Sequence, residues 1–201
     1  YQSGTVVPVQ ADAAPANTVF VGWIGNVAAV TDVQASFTTL TMPGQDTTLT
    51  AQYSSNTVFI AENAVWKYHD QGQNLGTAWR ALGYNDSSWP SGPAQLGYDE
   101  GDEATLVGYG GDKNNKYITT YFRTAFTVND PAAVVSLTLR LLRDDGAVVY
   151  INGNEVARDV MPTGAIDYLT ESDGIVGGAN EDTFFVFDLT PAGLVEGTNV
   201  M

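Results

Sequence analysis

The sequence Leu-Arg-Leu-Leu-Arg-Asp-Asp-Gly-Ala-Val-Val-Tyr-Ile-Asn-Gly-Asn over residues 139–154 decides the expected fold. It contains two dipeptides, Asp145-Gly146 and Asn152-Gly153, whose residues tolerate positive φ and favour tight hairpin turns. Just before the first turn, apolar and polar residues alternate with the period of a half-buried strand. The apolar set is Val135, Leu137, Leu139 and Leu141. The stretch therefore predicts three consecutive antiparallel strands in a sheet with one solvated face, and its acidic and amide side chains are interpreted as turn chemistry.

Charge and composition narrow the class of protein. The 201 residues include 23 Asp and Glu against 8 Lys and Arg, which gives a formal net charge of −15 and a pI near 4.1. Such a chain repels polyanions, so nucleic acid is not expected as a partner, and without a long apolar run membrane insertion is not expected either. Hydrophobic residues reach 44% and glycines number 21, which is typical of a turn-rich folded β protein. The absence of cysteine is compatible with bacterial secretion.

Residues 1–53 form a compositionally distinct block. Short β signals at residues 5–9, 18–23 and 47–53 are separated by turn formers, and helix signals are lacking. The segments Gly-Thr-Val-Val (4–7), Phe-Val-Gly-Trp (20–23) and Thr-Met-Pro-Gly-Gln-Asp-Thr-Thr-Leu-Thr-Ala-Gln-Tyr (41–53) resemble the bacterial surface repeat related to the internalin B-repeat. This resemblance implies a small β-grasp-like unit that serves as a stalk or spacer, here as a partial copy without its first strand.

A short polar junction, Ser54-Ser55-Asn56, separates this block from a predicted second domain over residues 54–201. The segment Thr-Val-Phe-Ile-Ala over residues 57–61 is predicted to be the first strand of that domain. Because the junction is so short, it is not expected to act as a flexible tether.

Six motifs of the second domain together resemble the galactose-binding-like β-sandwich domains of secreted bacterial hydrolases and adhesins. They are Trp-Lys-Tyr (66–68), Gly-Thr-Ala-Trp (76–79), Asn-Asp-Ser-Ser-Trp (85–89), Gly-Pro-Ala-Gln-Leu-Gly-Tyr (92–98), Thr-Tyr-Phe-Arg (120–123) and Arg-Asp-Asp-Gly-Ala-Val-Val-Tyr-Ile-Asn-Gly (143–153). The resemblance implies an antiparallel jelly-roll β-sandwich. It also implies that Gly-Thr-Asn-Val (197–200) opens the last core strand, so that strand is expected to be truncated and to leave an open edge for self-assembly.

Residues 62–116 hold most of the candidate ligand chemistry, because aromatic residues lie there among Gly, Asn, Asp and Ser. Aromatic faces on such loops can stack on a sugar ring, or they can plug one end of the sandwich. The candidate carbohydrate-binding residues are Trp66, Trp79, Trp89 and Tyr98. The single histidine, His69, has no second His or Cys to complete a zinc site.

The acidic run of residues 99–103 is the candidate metal site. Calcium takes six to eight oxygen ligands in flexible geometry, and closely spaced carboxylates around a glycine supply several of them. The candidate ligands are Asp99, Glu100, Asp102 and Glu103. The galactose-binding-like resemblance also implies a structural calcium ion. The alternative is an acidic loop without a ligand.

Motifs of catalysis are lacking, including Gly-x-Ser-x-Gly, the P-loop, His-Glu-x-x-His and any cysteine nucleophile. The chain is therefore predicted to be a non-catalytic, secreted or cell-surface bacterial protein. One hypothesis makes it a carbohydrate- or surface-binding accessory module of a larger protein. The alternative is a structural subunit or spacer of a surface fibre or stalk, assembled by strand complementation. Binding predicts a concave aromatic patch on the loops, whereas a spacer predicts none.

Overall fold

The computed structural model describes residues 1–16, 18–55, 57–99 and 101–201, with the backbone alone at Ser55. These residues divide into two compact units, Tyr1–Val58 and Phe59–Met201, called unit 1 and unit 2 below. The predicted boundary lies between residues 53 and 54. Every helical segment in the described part of the chain is a three-residue 3-10 turn, so the prediction of an all-β fold is confirmed.

Unit 1 contains the strands β1 (Val6–Gln10), β2 (Thr18–Gly25), β3 (Phe37–Thr41) and β4 (Leu49–Ser55). β1 pairs antiparallel with β3, and β2 pairs antiparallel with β4. The three predicted strands of this block are present within two residues of their expected positions, and β3 is additional. The β-grasp-like topology stays a prediction.

Side chains from both pairs build the interior of unit 1. Val7 and Leu40 face each other across β1 and β3, and both are buried. The Phe20 ring meets Trp23 edge-on at 5.6 Å and Tyr53 at 6.0 Å between ring centroids. The indole N–H of Trp23 donates to a backbone carbonyl at 3.0 Å, which satisfies its polar group.

The described residues of unit 2 form eleven strands, most of them short. They are β5 (Val65–His69), β6 (Ser91–Pro93), β7 (Leu96–Gly97), β8 (Thr105–Leu106), β9 (Tyr121–Arg123), β10 (Ala125–Val128), β11 (Leu137–Leu141), β12 (Ala147–Ile151), β13 (Asn154–Asp159), β14 (Phe185–Leu189) and β15 (Gly197–Val200). The pairs are β5 with β6 and β9, β10 with β15, β11 with β14, β12 with β13 and, in parallel, β7 with β8. The jelly-roll order stays a prediction.

β9 and β10 are separated by Thr124 alone and continue in one line. Thr124 exchanges two backbone hydrogen bonds of 3.0 Å with Met201, in register with the β10–β15 ladder. β5 pairs with β9 and β6 with β5. One layer of unit 2 therefore runs from β6 through β5 and β9–β10 to β15.

The apolar interior of unit 2 centres on Phe126, Val128 and Ile151. Partly buried residues pack around them, namely Phe59, Ile60, Val134, Leu137, Val156, Leu189, Leu194 and Met201. The predicted alternation holds within β11, where Leu139 is buried and Thr138 and Arg140 are exposed. The predicted strand over residues 57–61 is wrong, because these residues form no β-ladder. Phe59 and Ile60 pack against the apolar interior instead.

Of the two predicted hairpins, one is confirmed and one is wrong. Asn152 and Gly153 have φ values of 49° and 88° and join β12 to its antiparallel partner β13. β11 pairs with β14 instead of β12, so the segment containing Gly146 is a connection between strand pairs. Gly146 lets this connection pack closely against residues 160 and 161, because an added Cβ would lie 2.7 Å from both Met161 Sδ and the Val160 carbonyl oxygen.

Candidate functional site

An aromatic cluster attaches the loop of residues 78–90 to the sheet of β5, β6 and β9. Trp89 is 8% exposed and packs between His69, at 5.3 Å, and Tyr84, at 5.8 Å between ring centroids. Trp79 meets Tyr121 at 4.9 Å and Tyr150 at 5.9 Å, in both cases edge-on. The Trp79 contact covers the face of β9 that carries Tyr121 and Arg123, which are both buried, while Phe122 on the opposite face is half-buried.

An ion-pair network fixes the same loop. Arg123 is 3% exposed and donates to Asp86 at 2.9 Å, while Lys67 donates to the other oxygen of Asp86 at 2.6 Å. The Arg123 guanidinium also donates to the carbonyl oxygens of Trp79 and Ala81. Burial raises the pKa of Asp86, but the hydrogen bonds from Arg123 and Lys67 outweigh it and lower this pKa below its usual value.

A second group of tyrosines surrounds Lys116. The Lys116 ammonium lies 4.4 Å from the ring centroid of Tyr98 and 5.1 Å from that of Tyr109, and the two rings are 4.8 Å apart. It also donates to Asp99 at 2.9 Å, and this hydrogen bond raises the pKa of Lys116. The ammonium, the carboxylate and both rings thus form a fixed unit at the loop surface.

Tyr117 follows directly and is held by its backbone and by two glycines. Its N–H donates to the Tyr109 carbonyl at 2.9 Å. A Cβ at Gly72 would overlap the Tyr117 ring, and one at Gly110 would lie 3.2 Å from it. Both glycines have positive φ, of 62° and 101°, a conformation that other residues rarely adopt. The ring is therefore backed closely by main chain while 43% of the residue stays exposed.

A tight turn places further apolar side chains beside Tyr117. The Asp167 carboxylate accepts from the Leu169 N–H at 2.8 Å, and the Thr119 hydroxyl donates to the Tyr168 carbonyl at 2.9 Å. This turn and the segment around Tyr117 border a cavity of about 220 Å³. It is lined by Gly72, Asn115, Lys116, Tyr117, Ile118, Thr119, Tyr168 and Leu169. We call Tyr117, Ile118, Tyr168 and Leu169 the tyrosine patch.

The tyrosine patch combines exposed apolar side chains with polar groups that converge on one cavity. Ile118 is 45% and Leu169 59% exposed, next to the 43% of Tyr117. Asn115, Lys116 and Thr119 are polar residues of the lining, and the Thr119 hydroxyl donates to the Tyr168 carbonyl while the Lys116 ammonium pairs with Asp99. A ring face with hydrogen-bonding groups beside it suits a sugar, whose C–H face stacks while its hydroxyls bond.

The structure brings one of the four predicted ligand residues close to this patch. Tyr98 contacts Lys116, which lines the cavity. Trp79 and Trp89 lie in the aromatic cluster instead, and Trp66 is half-buried in β5. The sequence left open whether these aromatics stack on a ligand or plug the sandwich. Trp79 and Trp89 pack against the sheet, because the loop that carries them folds back on it. The sequence feature that could have indicated the tyrosine patch is the glycine-rich segment before Tyr117, whereas the 167–170 turn has no distinctive motif.

The acidic run is engaged in local contacts. Asp99 pairs with Lys116, and the Glu103 carboxylate accepts from the Gly101 N–H at 2.9 Å. Asp102 is exposed, and Glu100 lies outside the described residues. Among the residues that are described, no group of three or more His, Cys, Asp or Glu side chains is arranged to hold a metal ion. Calcium binding by this run stays a prediction, to be tested by melting in calcium and in chelator.

Both units thus belong to the class of small all-β modules, and the comparison with known families bears on the first of them. Residues 1–57 match the family model of the divergent InlB B-repeat domain. The match confirms the repeat resemblance of unit 1 and indicates a bacterial, surface-associated repeat module. The galactose-binding-like resemblance of unit 2 stays a prediction.

No curated protein and no solved structure matches the chain. Within the described ranges, no helix is long and apolar enough to cross a membrane.

Proposed function

We propose that the chain is a non-catalytic part of a bacterial secreted or cell-surface protein, in which unit 1 is a spacer repeat and unit 2 a carbohydrate-binding module of galactose-binding-like, jelly-roll type. The observation that carries the binding role is the exposed Tyr117 ring, backed by Gly72 and Gly110 at the mouth of a cavity. A binding ring gains from being fixed beforehand, because no side-chain entropy is then lost when the ligand stacks.

The chemistry of the rim indicates the class of ligand. Asn115 offers an uncharged amide, and the Thr119 hydroxyl, whose hydrogen is donated to Tyr168, keeps acceptor capacity. The charge of Lys116 is neutralised by Asp99. We therefore expect a neutral sugar rather than an anionic one. The net charge of −15 favours the same choice, since it repels acidic glycans at long range.

A glycan array followed by calorimetric titration tests the proposal. We expect Tyr117→Ala to weaken binding of the best neutral sugar at least tenfold, about 1.4 kcal/mol, because the stacking face is lost. Gly72→Ala should weaken it as well, although the ring remains, because the added methyl group displaces the ring. Near-UV circular dichroism of each variant checks that unit 2 stays folded.

Tyr1→Ala is the matched control, since Tyr1 is a 92% exposed tyrosine of unit 1 and should leave binding unchanged. The proposal fails if no sugar on the array binds, or if Tyr117→Ala binds as tightly as the parent chain. A chain that binds no sugar would favour the alternative function, a structural spacer of a surface stalk.

A further inference from the structure

The Tyr117 ring lies against two glycines that come from different loops. Gly72 belongs to the loop after β5, and Gly110 belongs to the loop after β8. An added Cβ at Gly72 would lie 2.4 Å from Cδ1 of the ring, and one at Gly110 would lie 3.2 Å from Cε1. Both glycines therefore border the same edge of the ring. We call these two residues the glycine cradle, and its shape depends on the spacing of the two loops.

A single carboxylate joins these two loops. Asp70 follows the last residue of β5, and its Oδ2 accepts a hydrogen bond from the Gly108 N–H at 2.6 Å. Its Oδ1 accepts from the Gln71 side-chain amide at 2.7 Å, so both oxygens have a partner. Hydrogen bonds to an ionised acceptor are short and about twice as strong as neutral ones. The bond thus ties the chain together two residues before each glycine of the cradle.

Gly108 permits the close approach of this carboxylate. An added Cβ at Gly108 would lie 3.0 Å from Oδ2 of Asp70 and 3.6 Å from its Cγ, so a larger residue would displace the side chain. The far end of the first loop is held separately, because the Tyr121 hydroxyl donates to the Gln73 carbonyl at 3.2 Å. That bond ties the first loop to β9 and does not reach the second loop.

The two glycines differ in how they are tied to Tyr117. The Tyr117 N–H donates to the Tyr109 carbonyl at 2.9 Å, which fixes its backbone directly to the loop that carries Gly110. Gly72 lies in the other loop, which the Asp70 carboxylate connects to the second loop. The position of Gly72 against the ring should therefore depend on Asp70, whereas that of Gly110 should not.

We propose that Asp70 is a positioning residue of the tyrosine patch, which holds Gly72 against the Tyr117 ring and so fixes the ring before a ligand arrives. The inference rests on the proposed sugar binding, in which this ring supplies the stacking face. Asp70 acts from outside, since it is not among the residues that line the cavity. A ring with a movable backing must be ordered when the ligand stacks, and that ordering lowers the affinity.

Nuclear Overhauser contacts of the Tyr117 ring report its position in the full chain without any ligand. In the parent chain we expect contacts from the ring to the α-protons of both Gly72 and Gly110. In Asp70→Ala the contact to Gly72 should be lost while that to Gly110 remains, because the backbone bond of Tyr117 still holds the second loop. Asp70→Asn should keep both contacts, since its amide oxygen still accepts from the backbone N–H.

Calorimetric titration of the best neutral sugar gives the second measurement. Asp70→Ala should weaken binding about tenfold in the parent chain but less than about twofold in the Tyr117→Ala background, because effects that act through one residue are not additive. Asp130→Ala is the matched control, since Asp130 is an exposed aspartate of unit 2 that also accepts a backbone N–H, from Ala132 at 3.0 Å. It should change neither the ring contacts nor the affinity.

Two results would overturn the proposal. They are a Gly72 contact that persists in Asp70→Ala, and an equal loss of affinity with and without the Tyr117 ring. If no sugar binds the parent chain, the proposed function fails, and the Overhauser contacts alone decide on the positioning role. If near-UV circular dichroism shows that Asp70→Ala is unfolded, Gly108→Ala takes its place, because the added methyl group displaces the same carboxylate.

Discussion

At the scale of single residues, charged side chains of unit 2 act mainly to attach loops. Arg143 donates to Asp159 at 2.6 Å and lies 4.0 Å from the Phe185 ring centroid. Asp86 attaches the loop of residues 78–90 through its ion pairs with Arg123 and Lys67. Most of these residues lie in sequence motifs that indicate the fold, but their pairing was not predicted, because the partners lie 16 or more positions apart and no local pattern indicates such a pair.

Asp86→Asn should destabilise unit 2 by about 1 to 3 kcal/mol at pH 7, because the buried Arg123 loses a charged acceptor. The pKa of Asp86 is lowered in the folded state, so its stabilisation is complete above the unfolded value of about 3.9 and is lost as pH falls through the lower folded value. The free energies of unfolding of parent and variant, from urea titrations, should therefore converge below pH 4. Glu62→Gln is the control, since its ion pair with Arg140 is exposed and contributes little. A constant difference from pH 7 to pH 3 would contradict the assignment.

At the scale of elements, the sequence predicts local turns but not the pairing of strands that are distant in the chain. The hairpin of β12 and β13 was predictable because Asn152 and Gly153 adopt the positive φ that their side chains permit. The pairing of β11 with β14 joins residues more than 40 positions apart, and nothing in the sequence near Asp145 encodes it. The same limit applies to the tyrosine patch, which two loops about 50 positions apart assemble, with Gly72 of a third lining the same cavity.

Asn199 of β15 is fully buried and links the turn between β12 and β13 to the segment that precedes β15. Its side chain accepts from Asn152 at 2.7 Å and from the Val195 N–H at 2.8 Å, and donates to the carbonyls of Val195 and Gly197. Asn199→Ala should cost about 2 to 4 kcal/mol in chemical denaturation, because several buried polar groups lose their partners. Asn154→Ala is the control on an exposed amide in the same hairpin. A loss below about 0.5 kcal/mol for Asn199→Ala would mean that water replaces the amide.

At the scale of the whole molecule, the two units have separate interiors. The apolar cluster around Phe126, Val128 and Ile151 draws residues from unit 2 alone, beginning with Phe59 and Ile60. Composition indicated two blocks with a boundary after residue 53, since the turn-rich opening segment differs from the rest, and the structure divides after Val58. Where the second interior begins depends on the packing of Phe59, which a polar junction in the sequence cannot indicate.

A fragment of residues 59–201 should therefore melt at the same temperature as unit 2 in the full chain, measured by calorimetry. A fragment of residues 62–201 is the matched control. It lacks Phe59, whose ring lies 5.6 Å from that of Phe126, and should be less stable by about 3 to 5 kcal/mol. Equal melting of the two fragments would place Phe59 outside the interior, and failure of residues 59–201 to fold would show that unit 2 depends on unit 1.

The register of unit 1 has a consequence for its behaviour under tension. Val6 at the start of β1 faces Thr41 at the end of β3, and Thr18 at the start of β2 faces Ser55 at the end of β4. A pulling force applied through residues 1 and 58 thus enters and leaves each ladder at the same end. The hydrogen bonds then carry the load one after another instead of sharing it, so the ladders peel apart. In a surface stalk exposed to flow, such a unit would extend at low force and act as an elastic segment.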